Sequence, residues 1–438
     1  MGTTRRVFLR NSLTTMAGLG LHAAVYAGKP KTAASDKVIV GLIGCRNMGY
    51  GDLADFLKVP GVECAAVCDI DQEILKNRVD DVKKATGKAP KSYKDFRKLL
   101  ENKDIDAVII GTPDHWHCLQ MVYACEAGKD VYVEKPLANS IGECSVMLKA
   151  ARKFNRVVQV GQQQRSGKHW HDAINFVRSG KLGQVRVAKC WANFQYAEGR
   201  KIIPDEPVPD GVDFEMWLGP APERTFNRAR FHGLWRMFWD YGGGLQTDWG
   251  VHLLDMALWA LNINYAPKST MATGGIYASK GHALETADTQ EVMYDFDGFS
   301  VRWEHNAGIQ SGPNGRNYGV NFIGTNGTLW ADRSNWEVLP EIDRDDPRMD
   351  AVKRREAEGD SRINHVENFI ECLKTRERPA ADIEIGYWAA LYAHLGNAAY
   401  RTGNKVVWDN DNQIFSGDEK ADLLIKPAYR APWKFPEV

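Results

Sequence analysis

The chain has 438 residues, enough for more than one domain and for large apolar cores. With 44% hydrophobic and 26% charged residues it has globular proportions, and 56 basic against 56 acidic side chains leave no basic footprint for nucleic acid or anionic lipid. No apolar run reaches the roughly 18 residues of a membrane span, and eight irregularly spaced cysteines make neither a disulfide scaffold nor a zinc module.

Residues 1–27 carry Arg5, Arg6 and Arg10 and no acid, then a mildly apolar stretch, Leu13 to Val25, and small residues near Ala27. A charged start, a short apolar middle and a small-residue end predict a secretory signal. The arginine pair before Phe8-Leu9 resembles the twin-arginine signal, whose receptor exports proteins already folded, so a periplasmic location is expected. Residues 28–36 read as a linker. Without the three signal arginines, 53 basic residues face 56 acids.

From Lys37 short β-branched runs alternate with helical periods. Val38–Ile43, Val62–Cys68, Ala107–Ile110, Val131–Val133 and Val157–Val160 predict buried parallel strands. Gln72–Thr86, Tyr93–Leu100, His117–Ala127 and Ser140–Phe154 predict the helices between them. This alternation predicts an α/β Rossmann-type, doubly wound parallel sheet over 37–161, binding its ligand beyond the carboxyl ends of the strands. The first strand runs into Gly44-Cys45-Arg46-Asn47-Met48-Gly49, a G-x-G-x-x-G turn with arginine at the second glycine. Asp69 follows Gly49 by twenty residues, where an acid accepts from the adenine ribose hydroxyls and disfavours a 2′-phosphate. The cofactor expected is NAD, although Arg46 could tolerate that phosphate.

After the third and fourth predicted strands come Gly111-Thr112-Pro113-Asp114-His115-Trp116-His117 and Glu134-Lys135-Pro136. Later come Gly242-Gly243-Gly244 with Asp248-Trp249-Gly250-Val251-His252-Leu253-Leu254-Asp255, then Gly324–Leu329 and Asn364–Phe369. In order and kind these are similar to the T-P-x-x-x-H, E-K-P and D-x-x-x-H landmarks of the glucose–fructose oxidoreductase / inositol dehydrogenase / MocA family, over roughly 37 to 410. The resemblance implies NAD held by Gly44, Arg46, Asn47, Met48, Gly49, Asp69, Thr112, Asp114, Trp116, His117, Glu134, Lys135 and Gln163. It also implies a homodimer or homotetramer joined through the second domain's sheet.

Read as chemistry alone, Lys135 sits at the carboxyl end of a strand, where the nicotinamide should lie. Asp248 and His252 are four apart, so on one helix they share a face. His252 is the expected general base, Asp248 its orienting group, and Lys135 the stabiliser of a developing alkoxide.

The second half predicts an α+β domain over 162–410 with a large open, mostly antiparallel sheet, and a tail at 411–438. Its expected strands are Val185–Ala197, Glu291–Phe296, Ser300–His305 and Gly319–Ile323; its helices are Lys168–Arg178, Gly250–Leu261 and Val366–Lys374. Ile202–Gly211 and Asp343–Asp360 are expected as surface loops. Trp191, Trp217, Trp235, Trp239, Trp249 and Trp259 crowd the proposed catalytic helix, and with Gln164, Arg236 and Asp240 they suggest a carbohydrate site. The cysteines are expected as buried free thiols, and no side-chain grouping has metal-ligand spacing.

The activity expected is oxidation of a secondary hydroxyl of a sugar, glycoside or cyclic polyol by hydride transfer to tightly bound NAD. One rival is a redox-neutral NAD-dependent glycosidase; such relatives carry Tyr-Pro-Thr-His where this chain has Trp249-Gly250-Val251-His252. Another is a non-catalytic periplasmic sugar-binding protein.

Overall fold

The computed structural model describes residues 37–438. The signal and linker readings for residues 1–36 lie outside the described residues. The first lobe runs β1 (Val38–Ile43), α1 (Asn47–Phe56), β2 (Val62–Cys68), α2 (Gln72–Thr86), β3 (Lys91–Tyr93) and α3 (Phe96–Leu100). It continues through β4 (Ala107–Ile110), α4 (Asp114–Glu126), β5 (Asp130–Val133), α5 (Ile141–Lys153) and β6 (Val158–Val160). The six strands are parallel, in the order β3-β2-β1-β4-β5-β6, so the chain reverses direction across the sheet at β1 and β4. Ligands of such sheets bind at that reversal.

Local chemistry sets the boundaries. Asp71 caps α2 by accepting from the Glu73 and Ile74 amides, and Gly87, at φ 80°, ends it. Ser140 and Glu143 form a capping box at α5. The expected helix at Tyr93–Leu100 instead starts at Phe96, because Asp95 caps it and Lys91–Tyr93 pairs as an edge strand.

The second lobe holds α6 (Lys168–Arg178), β7 (Val185–Ala192), α7 (Phe214–Leu218), α8 (Gly244–Asp248) and α9 (Gly250–Leu261). Then come β8 (Ser269–Gly275), β9 (Thr289–Asp295), β10 (Ser300–Asn306), β11 (Tyr318–Gly324), β12 (Gly327–Ala331), β13 (Asn335–Pro340) and β14 (Val352–Glu356). Two helices, α10 (Ser361–Thr375) and α11 (Ile383–Thr402), return to the first lobe. The eight strands lie in the order β14-β13-β12-β11-β7-β10-β9-β8 and are antiparallel except for β7 beside β10. Part of the expected charged loop at 343–360 is thus the edge strand β14, whose dense charge discourages further pairing.

The twenty-residue α11 has no counterpart in the sequence reading. Its sequence is apolar on nearly every face, so no 3.6-residue stripe stands out, and Gly386 and Gly396 interrupt it. A Cβ at Gly386 would lie 2.5 Å from Val160 Cγ2, so the glycine lets α11 lie against β6. One continuous buried cluster runs from β5, α4 and α5 through α9 and α11 to the second sheet, and all eight cysteines are buried and unpaired.

Candidate active site

The turn after β1 is built for close approach. Gly44 has φ +85°, and a Cβ there would meet Thr112 N at 2.7 Å; one at Gly49 would meet Gly44 O at 2.0 Å. Arg46, the cap residue before α1, makes no side-chain capping hydrogen bond, and although the Gly49 amide donates to the Arg46 carbonyl at 3.0 Å, no side chain occupies the helix start where an anion would bind. Asp69, at the end of β2, accepts from Cys45 N–H at 2.7 Å and Asp71 N–H at 3.0 Å, while burial pushes its carboxyl up.

Beside this turn lies a cavity of about 270 Å³. Gly44, Arg46, Asn47, Met48, Asp69, Thr112 and Trp116 line it as expected. Its other wall belongs to the second lobe: Met216, Trp217, His232, Trp235 and Arg236. Glycines that admit no Cβ, an uncapped helix start and a terminal acid on β2 fit a dinucleotide.

Lys135 emerges after β5 with its side chain only 11% exposed, and its Nζ lies 2.6 Å from Asp248 Oδ1 and 3.0 Å from the Asp248 carbonyl. Tyr196 donates to Asp248 Oδ2 at 2.7 Å, and Arg236 Nε lies 3.3 Å from Oδ1, close enough to attract but not aligned to donate. Burial raises the Asp248 carboxyl, but Lys135 and Arg236 overcome that and hold it well below the usual carboxylate range.

His252 is buried, and its Nδ1 has no hydrogen-bond partner. Burial first, then Lys135 and Arg333, push its pKa well below 6.5, so the ring is neutral. The expected pairing of Asp248 with His252 does not form. The helix changes course at Trp249 (φ −103°, ψ −28°), placing Asp248 at the end of α8 and His252 on α9. The carboxylate turns to Lys135, while the imidazole packs edge-on against Trp249.

Lys135, Asp248 and His252 are not among the residues that line the dinucleotide cavity, and neither are His117, Asp114, Glu134 and Gln164 beside them. His117 ties two loops together, its ring nitrogens 2.9 Å from the Pro136 and Thr112 carbonyls. Asp114 is buried, with Oδ1 unpartnered and its carboxyl pushed well up by burial. Glu134 accepts from Lys135 N–H and Gln163 and lies against buried Asp52. Gln164 is engaged at both ends, donating to the His252 carbonyl and accepting from Arg333, so it supports α9.

Asp240 pairs with Arg224 at 2.5 Å on a separate cavity of about 230 Å³. The tryptophans do not make one platform. Trp191 is core, Trp217 and Trp235 wall the dinucleotide cavity, Trp239 borders the separate cavity, and Trp259 lies against Arg165 and His171. Only Trp249 of the six packs against His252, with Arg333 4.5 Å over its ring. Tyr196, Arg333 and Arg362 were not singled out in the sequence, because each reaches its partner from a distant segment with no local motif.

Residues 38–162 match the description "Oxidoreductase family, NAD-binding Rossmann fold", and residues 175–435 match "Oxidoreductase family, C-terminal alpha/beta domain". A "Glycosyl hydrolase family 109 protein" of Shewanella sp. (strain W3-18-1) is 31% identical over 201 residues, 41% of this chain and 44% of that one. An alpha-N-acetylgalactosaminidase of Shewanella oneidensis is 30% identical with the same shares. The chain therefore spans less than half the length of these curated relatives. A levoglucosan dehydrogenase in complex with NADH and levoglucosan shares the fold at TM-score 0.63 and 18% identity, covering 85% of this chain and 99% of that one. An aldose-aldose oxidoreductase from Caulobacter crescentus, complexed with glycerol, does so at TM-score 0.64 and 20% identity, with the same shares. The two family matches take in nearly all of the described chain, and the chain belongs to the glucose–fructose oxidoreductase / inositol dehydrogenase / MocA family of NAD-binding oxidoreductases.

Proposed function

We propose that this protein is an exported oxidoreductase that oxidises a secondary hydroxyl of a sugar, glycoside or cyclic polyol while keeping its NAD tightly bound. The observation that carries the reading is a buried cluster where the lobes meet: charged Lys135 paired with Asp248, beside neutral His252. Bound NAD supplies a hydride acceptor. Lys135 offers its ammonium to the substrate oxygen and stabilises alkoxide character there. Asp248 keeps that charge in place, and Tyr196 fixes the carboxylate's second oxygen. His252, neutral at working pH, takes the hydroxyl proton on its imidazole. Arg236 and Arg333 are the nearby donors for further hydroxyls, and Trp249 offers an apolar face.

The test is a panel of sugars, glycosides and cyclic polyols with an artificial electron acceptor. Substrate-dependent reduction that His252→Ala abolishes supports the reading; no turnover across the panel removes it. A redox-neutral glycosidase is the second reading, favoured by the relatives named glycosyl hydrolase family 109. Release of aglycone from an α-N-acetylgalactosaminide without net NADH would select it. For export, Arg5→Lys with Arg6→Lys should trap the protein in the cytoplasm. Native mass should be that of a dimer or tetramer.

A further inference from the structure

The dinucleotide cavity is walled on one side by the first lobe and on the other by α7 and the segment around His232 to Arg236. Several contacts join these walls directly, among them His232 Nε2 at 3.1 Å from Asp71 Oδ2 and His115 Nε2 at 3.0 Å from the Trp217 carbonyl. Trp116 Nε1–H donates to the Trp217 carbonyl at 3.0 Å, and the turn after α7 comes so close that a Cβ on Gly219 would lie 2.2 Å from Trp116 Cζ2. Neither α7, only five residues long, nor this turn belongs to either large sheet; α7 packs in a small apolar cluster with Phe226, Phe231 and Trp235, and the segment before it meets the first lobe through Asp213 N–H and the Ile70 carbonyl.

The C-terminal tail adds a second tie, from outside the cavity. Arg430 forms an ion pair with Glu215 of α7, and its guanidinium donates to the Gly219 carbonyl at 3.1 Å, the Ala221 carbonyl at 3.1 Å and the Glu215 carbonyl at 3.3 Å. Its own amide donates to the Pro220 carbonyl at 2.9 Å. Three residues on, Trp433 packs edge-on to Trp116 at 4.9 Å and stacks on Phe96 at 6.4 Å, both of them cavity-wall residues. Arg97 covers the outer face of Trp433 at 5.1 Å. Upstream, the tail is anchored to α5: Tyr429 O–H donates to Glu143 at 2.6 Å, and Gly142 N–H to the Ile425 carbonyl at 2.8 Å.

One short segment therefore grips the second-lobe wall with Arg430 and the first-lobe wall with Trp433. We infer that residues 425–433 form a latch that clamps the two walls of the dinucleotide cavity together and slows release of the cofactor. Arg430 and Trp433 are positioning residues: they act through α7, Phe96 and Trp116. Pre-ordering the walls lowers the cost of closing them around a ligand, and such effects are expressed mainly in the off-rate. The inference rests on dinucleotide binding alone and is independent of which substrate is oxidised.

The experiment follows NADH fluorescence as excess ADP-ribose displaces the bound dinucleotide from wild type, from Arg430→Ala/Trp433→Ala, and from Trp433→Phe. The melting temperature of each protein is also measured after its dinucleotide has been stripped. The double variant should release NADH about tenfold faster or more, and Trp433→Phe, which keeps an aromatic ring against Trp116, should restore most of the difference. A double variant whose melting temperature falls while its off-rate stays within about twofold of wild type shows that the tail serves stability alone and overturns the latch. Should the double variant fail to fold, Trp433→Ala on its own decides by the same off-rate criterion.

Discussion

His252 is a weak base by circumstance, since burial and two nearby cations keep it neutral. A base with a depressed pKa stays unprotonated through neutral pH and is lost only as pH falls through that depressed value. The rate should therefore be level from about pH 6 to 8 and show no inflection near the ordinary histidine value of roughly 6.5. His252→Ala should lower turnover by about 10²–10⁴-fold while dinucleotide binding survives. Asp248→Asn leaves the Lys135 ammonium without its partner at 2.6 Å. The charge that should stabilise the substrate oxygen is then no longer held in place, so this variant should lose turnover, by less than His252→Ala, while dinucleotide binding survives. A pH–rate profile of each variant checks both outcomes.

At the scale of elements, β1, its glycine turn and α1 operate as one unit. Gly49→Ala places a Cβ 2.0 Å from Gly44 O, so α1 must shift and dinucleotide affinity should fall at least tenfold, about 1.4 kcal/mol, by titration. Asp69→Ala should narrow the preference for NAD over NADP, because Arg46 and Lys94 share the cavity with it. Helix α5 offers a separate pH test. Burial pushes the Glu143 carboxyl up to about 7, against the favourable hydrogen bonds from Tyr429 and Ser140. A carboxyl raised in the folded state binds protons that the unfolded chain releases, so its burial becomes destabilising as pH rises from about 4.5 toward 7. Glu143→Gln should accordingly raise the melting temperature more at pH 8 than at pH 5, relative to wild type.

For the whole molecule, the shared core and the two-lobed wall of the cavity make the cofactor part of the fold's stability. A ligand that binds only the folded state stabilises it by about 2.7 kcal/mol at a hundred times its dissociation constant. Stripping the dinucleotide should lower the melting temperature in a single transition, and adding NAD back should restore it. Two separate transitions in calorimetry would show instead that the lobes unfold independently.

The sequence by itself determined the parallel sheet, the glycine turn, Asp69 and the presence of Lys135, Asp248 and His252. These are local signals: unbroken apolar runs of strand length, glycines required by close backbone approach, and acids or lysines at strand ends. It did not disclose α11, whose burial on nearly all sides erases the periodic stripe, nor the edge strand β3, too short and too exposed to stand out. Within the site, the pairings were decided by the tertiary structure alone. Asp248 meets Lys135, 113 residues away, rather than His252, four residues away, because the chain turns at Trp249 and a buried carboxylate takes the nearest ammonium. His117 and Gln164 carry the right chemistry in the right motifs, yet backbone carbonyls and Arg333 occupy their polar atoms. Spacing along the chain determines which residues can reach a site; competition among buried polar groups for partners decides what each of them does there.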